Sequence, residues 1–178
     1  GGVGDSVIQG ARLAGATTII AVDIDPQKLE WAKAFGATHL VNAKDGDPVA
    51  KIKEITGGYG VNYSFEAVGS PLTLDQALWC RDLAGVCVFI GVPGPGPKLD
   101  LELQKLFDTG GALKPSWYGD CLPTRDFPLL AEWYRTGQLN LDDLVSRRIS
   151  LEETEAAFDA MTRGETLRSV IVFPAPAN

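Results

Sequence analysis

Residues 1–23 read GGVGDSVIQGARLAGATTIIAVD, and the fold turns on how this stretch is read. Thr17–Asp23 is short, apolar and β-branched and follows Gly15, so it reads as a buried strand. Asp5–Ala14 reads as a helix with Gly10, Ala11 and Ala14 on one side, and side chains this small let a helix lie close against a sheet. Gly1-Gly2-Val3-Gly4 stands before the helix and Asp23 closes the strand. A glycine turn, a small-residue helix and a strand ending in an acid make up most of a dinucleotide-binding fingerprint. Gly1 takes the place of the second glycine of G-x-G-x-x-G and Gly4 the third, so the first glycine and the strand carrying it would precede residue 1. The glycines let the backbone approach a pyrophosphate, and the helix turns its free N–H groups and positive dipole end toward it. The acid accepts hydrogen bonds from the adenosine ribose. Taken alone, GGVG also suits an ordinary helix start, and Asp23 a solvated strand-end carboxylate.

Outward from this unit, strands and helices alternate. Asp25 caps a helix over Pro26–Phe35, with Pro26 at its first position and Gly36 at its end. Thr38–Val41 reads as a strand, Asp47–Ile55 as an amphipathic helix, Val61–Val68 as a strand, and Leu72–Leu83 as a helix after Pro71. Val86–Val92 (VCVFIGV) is almost wholly apolar, which predicts a strand covered on both faces. This spacing specifies a parallel sheet with right-handed crossovers, an α/β fold. After PGPGP at 93–97 come a helix over Leu101–Phe107, a strand over Ala112–Tyr118 and a helix over Pro123–Thr136. A helix over Leu151–Met161 follows, with Ser150 and Glu153 as its capping box, then a strand over Leu167–Phe173 and a frayed PAPAN end.

The 178 residues are 45% hydrophobic and 22% charged, ordinary for a globular chain large enough to bury a core without disulfides. Acids outnumber bases 23 to 16, and the net charge of −7 does not suit sequence-independent binding to nucleic acid. No apolar run approaches the roughly 20 residues that span a bilayer. Cys80, Cys87 and Cys121 form no C-x-x-C pair, which points to free thiols in a reducing cytoplasm and away from a zinc knuckle. His39 is the single histidine and reads as an ordinary surface or core residue. Asp23 would repel the 2′-phosphate of NADP, and no arginine follows it in DIDPQK to hold one, so the pattern favours NAD. Lys28 either reaches the ribose or is a solvated helix lysine.

The stretches GGVGDSVIQGARLAGATTIIAVDIDPQKLEWAKAFGATHLVN, SFEAVG, VFIGVP and GETLRSVIVF together resemble the medium-chain, zinc-dependent alcohol dehydrogenases, in that family's order and over essentially the whole chain. GGALKPSWYGDCLP is most similar to the mycothiol-dependent formaldehyde dehydrogenases within it. The resemblance implies a doubly wound Rossmann domain lacking its first strand at 1–117, and from 118 to 178 the returning part of a GroES-like catalytic domain. In the strand order 3-2-1-4-5-6 that first strand is central, so the strands ending at Asp23 and Val68 would each lack a neighbour. The resemblance also implies a zinc held by two cysteines and a histidine outside this chain, with none of its own cysteines or its histidine matching.

Carried over by resemblance, Gly1, Gly2, Val3 and Gly4 form the pyrophosphate turn, with Val3 near the nicotinamide. Asp23 and Lys28 contact the adenosine ribose. Ala67, Val68 and Gly69 line the coenzyme groove, Ile90 and Val92 bind the carboxamide through their backbone, Ser116 and Tyr118 complete that grip, and Arg168 reaches the pyrophosphate. Core packing would account equally for Ile90 and Val92, and a surface ion pair for Arg168. The implied reaction is hydride transfer from a zinc-bound alkoxide to NAD, with S-(hydroxymethyl)mycothiol as the alcohol. The chain would supply the orienting half and would not turn over alone. Ala112–Tyr118 matches an edge strand through which a homodimer would form. Two other readings use the same pattern: a non-catalytic dinucleotide sensor, opposed by the C-terminal segment, and a zinc-free, NADPH-preferring quinone oxidoreductase, opposed by Asp23.

Overall fold

The computed structural model of the protein describes residues 1–174. Helix α1 (Gly2–Leu13), strand β1 (Ile20–Asp23), helix α2 (Pro26–Phe35) and strand β2 (His39–Asn42) form the opening unit. β1 and β2 pair in parallel, Ile20 opposite His39 and Asp23 opposite Asn42. α2 keeps its predicted bounds, because both ends are written locally. Asp25 accepts from the Gln27 amide at 2.9 Å, and Gly36 ends the helix at φ +119, a conformation costly for a residue with a Cβ.

Next come α3 (Pro48–Ile55), β3 (Val61–Glu66), α4 (Pro71–Trp79), β4 (Arg81–Phe89), α5 (Leu103–Thr109) and β5 (Ala112–Pro115). β3, β4 and β5 form a parallel three-stranded sheet in that order. The helices associate in pairs, α1 with α2 and α3 with α4, as a doubly wound sheet requires; α2 lies on β1 and β2, and α4 on β3 and β4. β1 and β3 belong to separate sheets, so the edges expected to lack a neighbour are not bonded to each other. Along β3 the side chains of Tyr63 and Phe65 are exposed while Ser64 and Glu66 are buried.

After a 3₁₀ turn at Tyr118–Asp120, α6 (Pro123–Arg135), β6 (Arg147–Ile149), α7 (Thr154–Thr162) and β7 (Ser169–Ile171) complete the described chain, with β6 parallel to β7. This C-terminal segment enters the main core. Leu144 is buried among Ile8, Ile19, Ala21, Leu29, Ala32, Phe35 and Ala37. The buried Gln9 side chain donates to the Asn140 carbonyl at 2.9 Å and accepts from the Asn140 amide at 2.7 Å. That reciprocal pair binds α1 to a segment 131 residues away.

Several expectations are corrected. The expected helix over Leu72–Leu83 stops at Trp79, because Arg81 is drawn into the interior and donates to the carbonyls of Leu78 and Gly85. Between Arg81 and Val86 the β3–β4 register slips, and Ala84 sits at φ +57. β4 is not covered on both faces: Gly85 and Cys87 are buried, while Val86 and Val88 are only half-buried. The strand expected over Ala112–Tyr118 ends at Pro115, where the chain turns. α7 begins at Thr154, not Leu151; Glu153 still accepts from the Ser150 amide at 2.8 Å, but it does so from a turn that precedes the helix. β7 is shorter than Leu167–Phe173. Of the end expected to fray, residues 175–178 lie outside the described residues.

Candidate functional site

The helix α1 starts at Gly2, not Asp5, with Gly1 at its N-cap and the first intrahelical bond running from the Asp5 amide to the Gly1 carbonyl at 2.9 Å. The glycine turn is therefore the first turn of the helix itself. The amides of Gly2, Val3 and Gly4 precede that first bond and are left without an intrahelical partner, as an anion site at a helix start needs. Gly2 lies against the returning chain: a Cβ there would be 3.1 Å from the Leu167 carbonyl oxygen. Arg168, exposed, is the next residue.

Asp23 closes β1 half-buried. One of its oxygens, Oδ1, accepts from the amides of Ile24 at 2.8 Å and Asp25 at 3.0 Å, which shapes the turn into α2 and leaves Oδ2 outside it. Lys28, one turn into α2, is half-buried, with its Nζ 3.1 Å from where a Gly164 Cβ would stand. Glycine at 164 thus makes room for the lysine. The start of α1, the end of β1, Lys28 and the 164–168 segment therefore lie together at the carboxyl end of β1, the end at which doubly wound sheets bind ligands.

Asp5, in the first turn of α1, lies close to Asp23 and Lys28 and was not legible as a site residue. It is 2% exposed, and its Oδ2 has no hydrogen-bond partner among the described residues. Burial pushes its carboxyl above the ordinary value of 3.8 and outweighs the opposing pull of the Gly1 ammonium, 3.9 Å away, and of Lys28, while the nearby Asp23 carboxylate pushes upward. A raised carboxyl pKa stabilises the fold below the ordinary value, and this contribution is lost as pH rises through the folded-state value. Asp5→Asn is therefore expected to raise the melting temperature at neutral pH, with the gain vanishing near pH 4 or below, where wild-type Asp5 is itself protonated. A pH series of thermal melts reads this directly; a gain of equal size at every pH would refute it.

A second group of candidate residues lies at the carboxyl ends of β3 and β4, in two strand-end loops. Glu66, 3% exposed at the end of β3, accepts through Oε1 from the amides of Val68 at 2.7 Å and Gly69 at 2.8 Å and from the Thr73 hydroxyl at 2.7 Å. Its carbonyl accepts from the amides of Ile90 at 2.7 Å and Gly91 at 3.1 Å. Gly69 sits at φ +86, and a Cβ there would come within 2.6 Å of the Val92 carbonyl oxygen, so the two loops touch backbone to backbone. Ala67, Val68 and Gly69 thus stand beside Ile90 and Val92. Of these, the Ile90 amide is committed to Glu66, while Val92 and Val68 are exposed. The Ser116 amide is likewise committed, to the Phe89 carbonyl at 2.9 Å. Tyr118 is exposed at φ +49, its ring edge-on to Trp117 with centroids 5.2 Å apart.

Residues 2–136 match the family model described as zinc-binding dehydrogenase. The chain belongs to this family. It is 38% identical to the class-3 alcohol dehydrogenase of Cereibacter sphaeroides, over 97% of this chain and 48% of that protein. It is 33% identical to the S-(hydroxymethyl)glutathione dehydrogenase of Paracoccus denitrificans, over 97% of this chain and 48% of that protein. Among solved structures, it superposes on an alcohol dehydrogenase zinc-binding domain protein of Burkholderia ambifaria with a TM-score of 0.93 at 37% identity, covering 98% of this chain and 47% of that one. On the benzyl alcohol dehydrogenase of Acinetobacter calcoaceticus the TM-score is 0.92 at 35% identity, covering 97% and 47%. The chain spans about half the length of the curated relatives it matches. The α/β fold with a Rossmann-type parallel sheet is that of these zinc-binding dehydrogenases.

The residues present do not fit the family's metal. Among the described residues, no group of three or more His, Cys, Asp or Glu is placed to hold an ion. Burial pushes the Cys80 thiol up to about 11 and raises Cys87 as well, which disfavours the thiolate that zinc requires. His39 is exposed, with its Nδ1 2.9 Å from the Thr38 hydroxyl. A dinucleotide is a different matter: free helix amides, a strand-end carboxylate with an oxygen to spare and a neighbouring lysine match its phosphates and ribose.

Proposed function

We propose that this chain is the coenzyme-binding portion of an NAD-dependent zinc alcohol dehydrogenase whose alcohol is S-(hydroxymethyl)mycothiol, the adduct of formaldehyde with a low-molecular-weight thiol. The observation that carries this reading is the placement of the free α1 amides beside Asp23 and Lys28 at the carboxyl end of β1. When bound, NAD supplies a hydride acceptor at nicotinamide C4. The chain's own residues bind and orient it. The amides of Gly2, Val3 and Gly4 donate to the pyrophosphate, with Arg168 adding charge. Asp23 accepts from the adenosine ribose hydroxyls, assisted by Lys28, and excludes a 2′-phosphate by repulsion. Ala67–Gly69, Ile90 and Val92 wall the nicotinamide, and Ser116 and Tyr118 close that end. Fixing the ring this way converts a bimolecular encounter into an oriented one.

The thiol-adduct reading is supported by the residues at 110–123, GGALKPSWYGDCLP, and by relatives named for S-(hydroxymethyl)glutathione. We further propose residues 1–117 as the coenzyme domain and 118–178 as part of the catalytic domain. A homodimer would form through the outer edge of β5, which among the described residues pairs with β4 alone and whose residues are all exposed. The full-length protein is expected to reduce NAD with formaldehyde only when mycothiol is present, and to do so poorly with glutathione or with benzyl alcohol. Equal rates with NADP, or formaldehyde oxidation indifferent to the thiol, would refute it.

A further inference from the structure

We propose that Glu66 is a positioning residue: its buried carboxylate holds the two strand-end loops, 67–70 and 90–92, in the one arrangement that seats the nicotinamide half of the coenzyme. The proposal rests on the coenzyme reading above and adds a residue to it.

Glu66 is buried, 3% exposed. Three donors nevertheless converge on a single oxygen, the Val68 and Gly69 amides and the Thr73 hydroxyl, all at 2.7–2.8 Å. A carboxylate is an acceptor-only group, and bonds to it are about twice as strong as neutral ones. The Thr73 hydroxyl is also 2.7 Å from the Ser70 hydroxyl, and Ser70 caps α4, so the carboxylate ties the loop to the helix it precedes. The same residue's carbonyl takes the Ile90 and Gly91 amides. Gly69 and Gly91 are in backbone contact, with no room for a Cβ at either. Loop 67–70 therefore cannot shift without displacing loop 90–92. None of these contacts involves α1, Asp23 or Lys28, where the adenosine end would lie.

This division makes a specific prediction. In the full-length protein, Glu66→Gln keeps the shape and one acceptor oxygen but loses the charge that holds three donors. NAD should then bind about tenfold more weakly, the equivalent of one charge-assisted hydrogen bond. ADP-ribose, which lacks the nicotinamide, should bind as it does to wild type, within about twofold. Thr73→Val removes one of the three donors and should move NAD affinity the same way by a smaller factor, again sparing ADP-ribose. Calorimetric titration with both ligands reads each value. An equal loss for NAD and ADP-ribose would make Glu66 a general stabiliser and overturn the proposal, as would unchanged NAD affinity in Glu66→Gln. Wild-type protein that binds neither ligand would instead sink the coenzyme reading, and the proposal with it.

Discussion

Arg81→Met is expected to cost about 3 kcal/mol or more of folding stability. Arg81 is 3% exposed. Its Nε donates to the Leu78 carbonyl at 2.7 Å, and its Nη1 to the carbonyls of Gly85, of Gly110 at 3.3 Å and of Ala112 at 3.4 Å. One guanidinium thus joins the end of α4, the irregular start of β4 and the entry to β5. Methionine keeps the apolar stem but leaves these carbonyls without their donor, and an unmade bond at a buried polar group costs about 1–3 kcal/mol. Arg81→Lys should recover little, since a point charge cannot donate in both directions as the planar fork does. Urea denaturation should show the midpoint falling by about 1–2 M at constant slope. A shift smaller than about 0.3 M would show that the network contributes little.

Asp23→Ala is expected to weaken NAD binding by the full-length protein about tenfold to a hundredfold, the range for losing charge-assisted hydrogen bonds to a ribose. It should also narrow the preference over NADP, because the repulsion of a 2′-phosphate disappears with the carboxylate. Since Oδ1 also organises the turn into α2, Asp23→Asn is the informative companion. It keeps acceptors for the Ile24 and Asp25 amides and removes only the charge. The asparagine variant should therefore lose less NAD affinity than the alanine variant while gaining as much toward NADP. Titration of both coenzymes against both variants decides it, and unaltered NAD affinity in Asp23→Ala would refute the ribose contact.

What was legible and what was not follows the range of the forces involved. α2 was readable to the residue because a cap, an N1 proline and a stop glycine act within a few positions of themselves. α4 was not, because the group that ends it, Arg81, acts through carbonyls as distant as Ala112. The strand expected over 112–118 was too long because its apolar character continues through Trp117 and Tyr118 while its pairing with β4 stops at Pro115. In the candidate site, Asp23 was recognisable from its place at a strand end. Asp5 and Glu66 were not, because what sets them apart is burial, which no local pattern marks. The available signals were weak: an acid within a small-residue helix, and an acid ending a strand just before Ala-Val-Gly-Ser.

By itself, the order of residues determined that this protein is a parallel α/β domain with a dinucleotide-type opening, since periodicity, caps and glycine turns are local instructions. Only the tertiary structure decided that Gln9 would clasp Asn140, that Leu144 would join the core with Ile8 of α1, and that Asp5 and Glu66 would be buried. Those outcomes depend on which distant groups share a dehydrated space. There an unpaired polar atom is costly, and only the assembled chain brings its partner within reach.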